Sequence, residues 1–501
     1  MSDRGATIGT IANVRIAGAG RELLVDDGPF DVFLEEGVIA DIAPAGAMRR
    51  RGEMLDADGT WLIPGLWDHH VHVVQWALAA QRQALGHAAS AAEATRIMSS
   101  APILADGRRV GTGFRDALWP DAPTLEMLDA ATGEIPTYLI NADVHSVWLN
   151  SAALRREGFA AEGDGILREA PAFEISRRLN AVDPAIGDRL IAQMAQDAAA
   201  RGIVGLVDLD MAWNEEAWTR RVNAGFDALK VEFGIYPEFL DLALAEGLRT
   251  GDVARGAASD LARVGSLKVI TDGSLGTRTA ACSHSYPGDP HNHGLLTVDP
   301  ATLVELMTRA TGAGLSCAIH AIGDVANSHA LDAFALTGAW GTIEHAQLVA
   351  HADIPRFGRL GVGASVQPEH AIDDRDMTDT IWAEQTALPY PLRSLADTGA
   401  NLLFGSDAPV SPLDPWAAMA AAVFRTRDGR TPWRVEQGVD AATALAASTY
   451  GGSAHGARIE VGAPADLALV AHDPLAADER HLRSMQVSAT LLGGRVTYSG
   501  G

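Results

Sequence analysis

The sequence predicts an α/β fold: a (β/α)8, TIM-like barrel with a composite β-sandwich domain formed by the N- and C-terminal segments, and a large insertion after barrel strand 1. Three observations predict it. Eight short, near-continuously apolar strand candidates recur through the middle of the chain, many separated by helical stretches, as in a sheet buried on both faces. The two ends of the chain share a different texture of alternating apolar residues and glycine turns, which reads as antiparallel strands. Finally, about 130 residues separate the first barrel strand from the second, far more than an ordinary loop, so that segment must hold structure of its own.

The elements follow in order. Strands are expected at 12–16, 30–34 and 38–42, with the Glu35-Glu36-Gly37 turn between the last two. At the other end, Gly462-Ala463-Pro464-Ala465-Asp466 leads into 467–470, and 487–492 is followed by Gly493-Gly494 and a strand at 496–498. Chain termini of a domain often lie close together, so 1–60 and 455–501 are read as one sandwich. Barrel strands are expected at 61–72, 203–209, 229–233, 267–271, 316–320, 341–345, 363–367 and 402–407, within a domain spanning 61–454. Helices are expected at 186–200, 300–313, 324–336 and 415–424. The insertion, about 77–195, would emerge where barrel active sites are built, at the C-terminal end of the first strand. A doubly wound open sheet is the competing architecture, but no Gly-x-Gly-x-x-Gly follows the first strand.

Composition narrows the partners. With 39 basic and 64 acidic residues the net charge is -25, which disfavours nucleic acid and anionic membranes, both of which need a positive footprint. No apolar run approaches the ~20 residues of a membrane span, and the N-terminus lacks a basic region followed by an apolar one, so a cytoplasmic protein without signal peptide is expected. The cysteines, Cys282 and Cys317, have neither zinc-knuckle nor redox-pair spacing and are expected to be two reduced thiols rather than a disulfide.

Chemistry concentrates at strand ends. Leu62-Ile63-Pro64-Gly65-Leu66-Trp67-Asp68-His69-His70-Val71-His72 closes an apolar strand on three histidines and an aspartate. Side chains alternate along a strand, so Asp68, His70 and His72 share one face, and two imidazoles so placed can bind one cation. Lys268 sits in the fourth strand, His320 ends the fifth, His345 the sixth and Asp407 the eighth. Any one alone is ordinary. Together they would converge on one axial cavity, which packing does not require.

On these residues the chain resembles the amidohydrolase superfamily: Asp68-x-His70-x-His72 after Pro64-Gly65, the two strand-ending histidines and the final aspartate. It looks like the YtcJ-like branch, amidohydrolase family 3, which includes N-substituted formamide deformylase. The segments that point there are Asp143-Val144-His145-Ser146-Val147-Trp148-Leu149-Asn150-Ser151, Asp272-Gly273-Ser274-Leu275-Gly276-Thr277-Arg278-Thr279-Ala280, His320-Ala321-Ile322-Gly323-Asp324 and Gly405-Ser406-Asp407. The resemblance spans nearly the whole chain. It implies one or two zinc ions, or another divalent metal. His70 and His72 would hold the more buried ion with Asp407, and His320 and His345 the other. Lys268 would bridge them as a carboxylated side chain, the alternative being a salt-bridged lysine beside one metal. Glu169 is a further acid able to approach the metals.

The implied reaction is hydrolysis of a C–N bond in an amide, formamide or cyclic amide, a carbon–nitrogen bond other than a peptide bond, by metal-bound hydroxide, with Asp407 as proton shuttle. His145 would polarise the carbonyl, or else pack between Trp148 and the barrel rim; Arg278 would anchor an acyl or carboxylate group, or else pair with Asp272. Trp76, Trp119, Trp148, Trp213 and Trp382 suggest a pocket for a small-molecule substrate with an aromatic or bulky apolar group, with packing as their other role. Deamination and ester hydrolysis are the nearest rivals. Asp324 stands where a deaminase would carry a glutamate after the strand-five histidine. The rival from another class is a non-catalytic barrel scaffold, and a homodimer is expected from family habit.

Overall fold

The computed structural model describes residues 5–17, 28–161, 163–452 and 458–500. The expected boundary at 455 and the extreme termini lie outside the described residues. Eight parallel strands form one sheet: β1 (Leu66–Val71), β2 (Ile203–Asp208), β3 (Lys230–Ile235), β4 (Ala262–Ile270), β5 (Cys317–Ala321), β6 (Gly341–His345), β7 (Gly363–Val366) and β8 (Leu402–Phe404). They pair in sequence order from β1 to β8. The seam between β8 and β1 closes through a parallel bridge, Val71 to Ala408. There the Asp407 N–H donates to His70 O at 2.7 Å and the His72 N–H to Ala408 O at 2.9 Å. The sheet is therefore a barrel, and all eight expected strands are in it. Helices Pro184–Ala199, Pro300–Gly312, Asp324–Thr337 and Pro415–Phe424 stand where apolar periodicity puts them.

One expected strand is divided. Trp61–Pro64 belongs to the terminal sheet and pairs with Leu467–Val470, while the barrel strand starts at Leu66. The break falls at Gly65, where a Cβ would lie 2.5 Å from the Val204 side chain. Only glycine lets the chain pass so close to β2 while changing sheets. His72 then leads into the helix Val73–Ala79 instead of extending the strand.

The terminal sheet runs Arg495–Ser499, Val487–Leu492, Leu467–Val470, Trp61–Pro64, Ile8–Ile16, Phe30–Glu35 and Val38–Pro44, with Glu53–Asp56 beside Ile8–Ile16. The half-sheets at the two chain ends thus meet through Ile8–Ile16 and Trp61–Pro64, around a core that includes Ile11, Val32, Leu62, Leu467 and Leu491. The insertion forms a five-stranded sheet of its own: Gln83–Ala84, Arg109–Phe114, Thr137–Asn141, Ser146–Leu149 and Ile166–Arg168. Trp148 is buried in its core with Phe114 and Leu139.

Candidate active site

A cavity opens at the C-terminal ends of the barrel strands. His70, His72, Lys268, His320, His345 and Asp407 all line it, drawn from five different strands or their ends. The backbone takes unusual turns to bring them in. His345 and Ala346 are consecutive left-handed residues (φ 72 and 43), and Asp407 is a third (φ 56). Simple alternation would send Glu344 and His345 to opposite faces. The turn at His345 lets both face the same cluster, at the conformational cost often tolerated in active sites.

Ligand atoms of His70, His345 and Asp407 lie within 4.8 Å of one another, all buried. His72 Nε2 is 3.3 Å and His70 Nε2 3.5 Å from Asp407 Oδ1. The His320 and His345 rings are 4.6 Å apart, and those of His70 and His345 5.0 Å. The family pattern divides these residues between two ions, yet the tightest trio takes members of both sets.

Burial governs the charges. It pulls His70 down to about 4, drives His345 well below and His320 below the ordinary imidazole range, and lowers the Lys268 amine. Burial alone would raise Asp407, but the surrounding imidazoles hold its carboxyl well below the usual range. Burial opposes ionisation of Glu344 too. A 2.7 Å hydrogen bond with His70 Nδ1 and the Lys268 charge outweigh it and bring the carboxyl down to about 2. Neutral imidazoles at His70, His320 and His345 beside ionised carboxylates are the donors a divalent cation requires, whereas at His72 burial is outweighed by Asp407 and the imidazole is raised. His72 Nδ1, His320 Nε2, His345 Nδ1, Lys268 Nζ and Asp407 Oδ1 are buried without a hydrogen-bond partner among the described residues. Orphaned polar atoms of this kind are costly unless a ligand satisfies them, so the site fits a metal.

The other expected residues separate. His145 lines the cavity 5.6 Å ring to ring from His320, while Trp148 is buried in the insertion core. Glu169 holds His145 Nδ1 at 2.9 Å through Oε2 and accepts from Thr279 Oγ1 at 2.6 Å through Oε1. Burial would lower His145, but the Glu169 carboxylate beside it raises the imidazole to about 9. Glu169 thus orients an imidazole, and it does not line the cavity. Arg278 is exposed and not part of the lining. It makes no ion pair with Asp272, which accepts backbone N–H groups from Ala281, Ile322 and Gly323 and lies 3.2 Å from His320 Nδ1. None of the five tryptophans lines the cavity: Trp76 and Trp213 pack on the barrel core, Trp119 and Trp148 in the insertion, and Trp382 beside Tyr390 and Trp433.

Three roles are not readable from the sequence, where Asp272 stands only as a motif residue and a partner for Arg278. Glu344 orients His70, Asp272 stands behind His320, and His370 stacks on His345 at 6.1 Å with Nε2 3.9 Å from Asp407 Oδ2. The signals for them were an acid beside a strand-ending histidine, and a histidine shortly after the seventh strand, to which no ligand was assigned. Asp68, by contrast, braces the backbone. Its Oδ1 accepts the N–H groups of His70 (3.1 Å) and Ser406 (2.9 Å), tying β1 to the chain after β8.

A closed parallel barrel with imidazoles, carboxylates and a buried lysine gathered at its C-terminal end has the architecture of a metal-dependent hydrolase. Comparison with known proteins agrees. The amidohydrolase family profile (Amidohydro_3) matches residues 53–498, and the chain belongs to that family. It is 28% identical over 414 residues to protein LONG AFTER FAR-RED 3 of Arabidopsis thaliana, covering 74% of this chain and 70% of that one. It is 23% identical to putative amidohydrolase YtcJ of Bacillus subtilis (93% and 95% covered). It is 25% identical to N-substituted formamide deformylase of Arthrobacter pascens (90% and 91%). Among solved structures, a metal-dependent hydrolase from Pyrococcus horikoshii superposes with a TM-score of 0.78 at 25% identity, over 94% of this chain and 99% of that one. The branch expected from the sequence is thus the right one, and the protein is a metal-dependent hydrolase of that family. No helix among the described residues is long and apolar enough to cross a membrane.

Proposed function

We propose that the enzyme hydrolyses a non-peptide amide, formamide or cyclic amide whose acyl or amine part carries a bulky apolar group. The observation that carries the reading is the buried trio His70, His345 and Asp407 beside the unpartnered Lys268 Nζ. His70, His72, His320, His345 and Asp407 would hold zinc, with Lys268 carboxylated to complete the set. Its depressed basicity favours the neutral amine that carbamate formation needs. A divalent cation held there supplies electrophilic polarisation and an acidified water. Asp407, ionised and flanked by His72 and His370, takes the proton of the attacking water and delivers it to the leaving nitrogen. His145, protonated and steadied by Glu169, donates to the carbonyl oxygen as negative charge develops. Phe173, Met211, Leu275, Ile322, Met377 and Val410 supply the apolar walls.

Deamination is the weaker reading, because Asp324 accepts the Ser283 N–H at 2.9 Å and does not line the cavity. The test is a screen of zinc-loaded enzyme against N-formyl, N-acyl and cyclic amides with apolar substituents, in parallel with His70→Ala. Turnover of at least one amide class, abolished in the variant together with bound metal, is expected. Turnover that survives in His70→Ala would sink the mechanism.

A further inference from the structure

Behind the cavity wall lies a second, smaller pocket with room for a single small occupant. His345 and Gln347 belong to both, so their backs form one side of it; Gln367, Tyr390, Leu392 and Arg425 supply much of the rest. We infer that this pocket binds a small monovalent anion, a halide or a short carboxylate, against the Arg425 guanidinium.

The reasoning starts from an unbalanced charge. Arg425 is 1% exposed, and its Nη2 is buried with no hydrogen-bond partner among the described residues. Nε donates to Trp433 O at 3.2 Å, and the guanidinium lies 5.5 Å from the Trp433 ring centroid. No carboxylate reaches ion-pair distance of it among the described residues. Arg221, also buried, shows the usual arrangement: its Nε meets Asp188 at 2.9 Å. A buried guanidinium without a counter-charge is costly. Arg425 follows the last residue of the helix Pro415–Phe424, whose C-terminal carbonyls supply only a fraction of a negative charge. The exposed Glu436 carboxylate acts on the guanidinium only from beyond ion-pair distance, offset by Arg434, which leaves an occupant to supply the remainder.

The walls say which kind. Ala346, Val366, Ala371 and Leu395 leave little polar surface, which excludes a strongly hydrated or multiply charged ion such as sulfate or phosphate. A small, weakly hydrated anion meets Arg425 and little else. The side-chain amides of Gln347 and Gln367 are held only by long contacts (3.5 Å to His370 Nδ1, 3.4 Å to Ser365 O), and each keeps a buried, unpartnered oxygen. Either amide can rotate to present its N–H2 to the occupant. Because His345 and Gln347 also face the catalytic cavity, an anion here braces the wall that carries a metal-site histidine.

The probe is bromide, and the readout does not require a substrate. Crystals of the metal-loaded enzyme soaked in sodium bromide should show an anomalous peak within hydrogen-bond distance of Arg425 Nη2. Competition with sodium formate separates the two sources: displacement of the peak assigns a short carboxylate, and retention assigns a halide. In solution, sodium chloride should raise the melting temperature saturably by about 1–2 °C over sodium gluconate at equal ionic strength, and Arg425→Met should abolish that difference. If the variant fails to fold, the bromide map of the native enzyme decides alone. Water in the pocket, or bromide only at surface sites, would overturn the inference. Neither result touches the hydrolase reading, which stands or falls on turnover and bound metal.

Discussion

Glu344 and Glu169 act alike on two sides of the cavity: each is a buried carboxylate that orients an imidazole and sets its proton. Glu344→Gln keeps the shape but weakens the acceptor behind His70. The loss expected is about 10- to 100-fold in metal affinity, measured by competition with a chromogenic chelator. Glu169→Gln removes the charge that lifts His145 to about 9. Because that pKa is raised, the protonated imidazole and the stability it brings are complete below the ordinary imidazole range. Both are lost as pH rises through about 9. In the variant the alkaline limb of kcat/KM should therefore move to lower pH; an unmoved limb would remove His145 from the chemistry. His70, His72, His320, His345 and Asp407 were legible as single letters, because an imidazole or carboxylate closing a buried strand has few other reasons to be there. Glu344 was not. Alternation sends it to the face opposite His345, and only the left-handed turn at His345 lets both reach the same cluster. Arg278 and the tryptophans show the converse: suitable chemistry in the sequence, positioned elsewhere by packing.

At the scale of elements, the seam between β8 and β1 is where the site is assembled. Gly405 lies so close that a Cβ there would sit 2.7 Å from the His70 Cβ and 2.8 Å from its backbone nitrogen. Gly405→Ala must push the two strands apart, costing about 1–3 kcal/mol in urea unfolding and displacing His70 from Asp407. Bound zinc should fall in parallel, and full metal occupancy in that variant would show that the seam has slack. Periodicity alone located every barrel strand, since a run of apolar residues of the right length needs no partner to be recognised. It could not show that 61–72 is two strands, because the division depends on Val204, far along the chain, crowding Gly65.

For the molecule as a whole, the cluster of unpartnered polar atoms would make a metal held there part of the fold's stability. Removing it with a chelator should abolish turnover and lower the melting temperature, and zinc should restore both; binding at about 100 times Kd contributes about 2.7 kcal/mol. A melting temperature indifferent to chelation would argue that no ion is held. The sequence by itself determined the barrel, its large insertion, the sheet built from both chain ends and the residue types at the strand ends, since each follows from local apolar pattern and chemical identity. The tertiary structure alone decided which acids stand behind the histidines, that Arg278 faces outward, that the tryptophans pack between elements, and that Arg425 is buried with no ion-pair partner among the described residues. Those are relations between segments far apart along the chain, and no local pattern carries the distance between two side chains that meet only after the barrel closes.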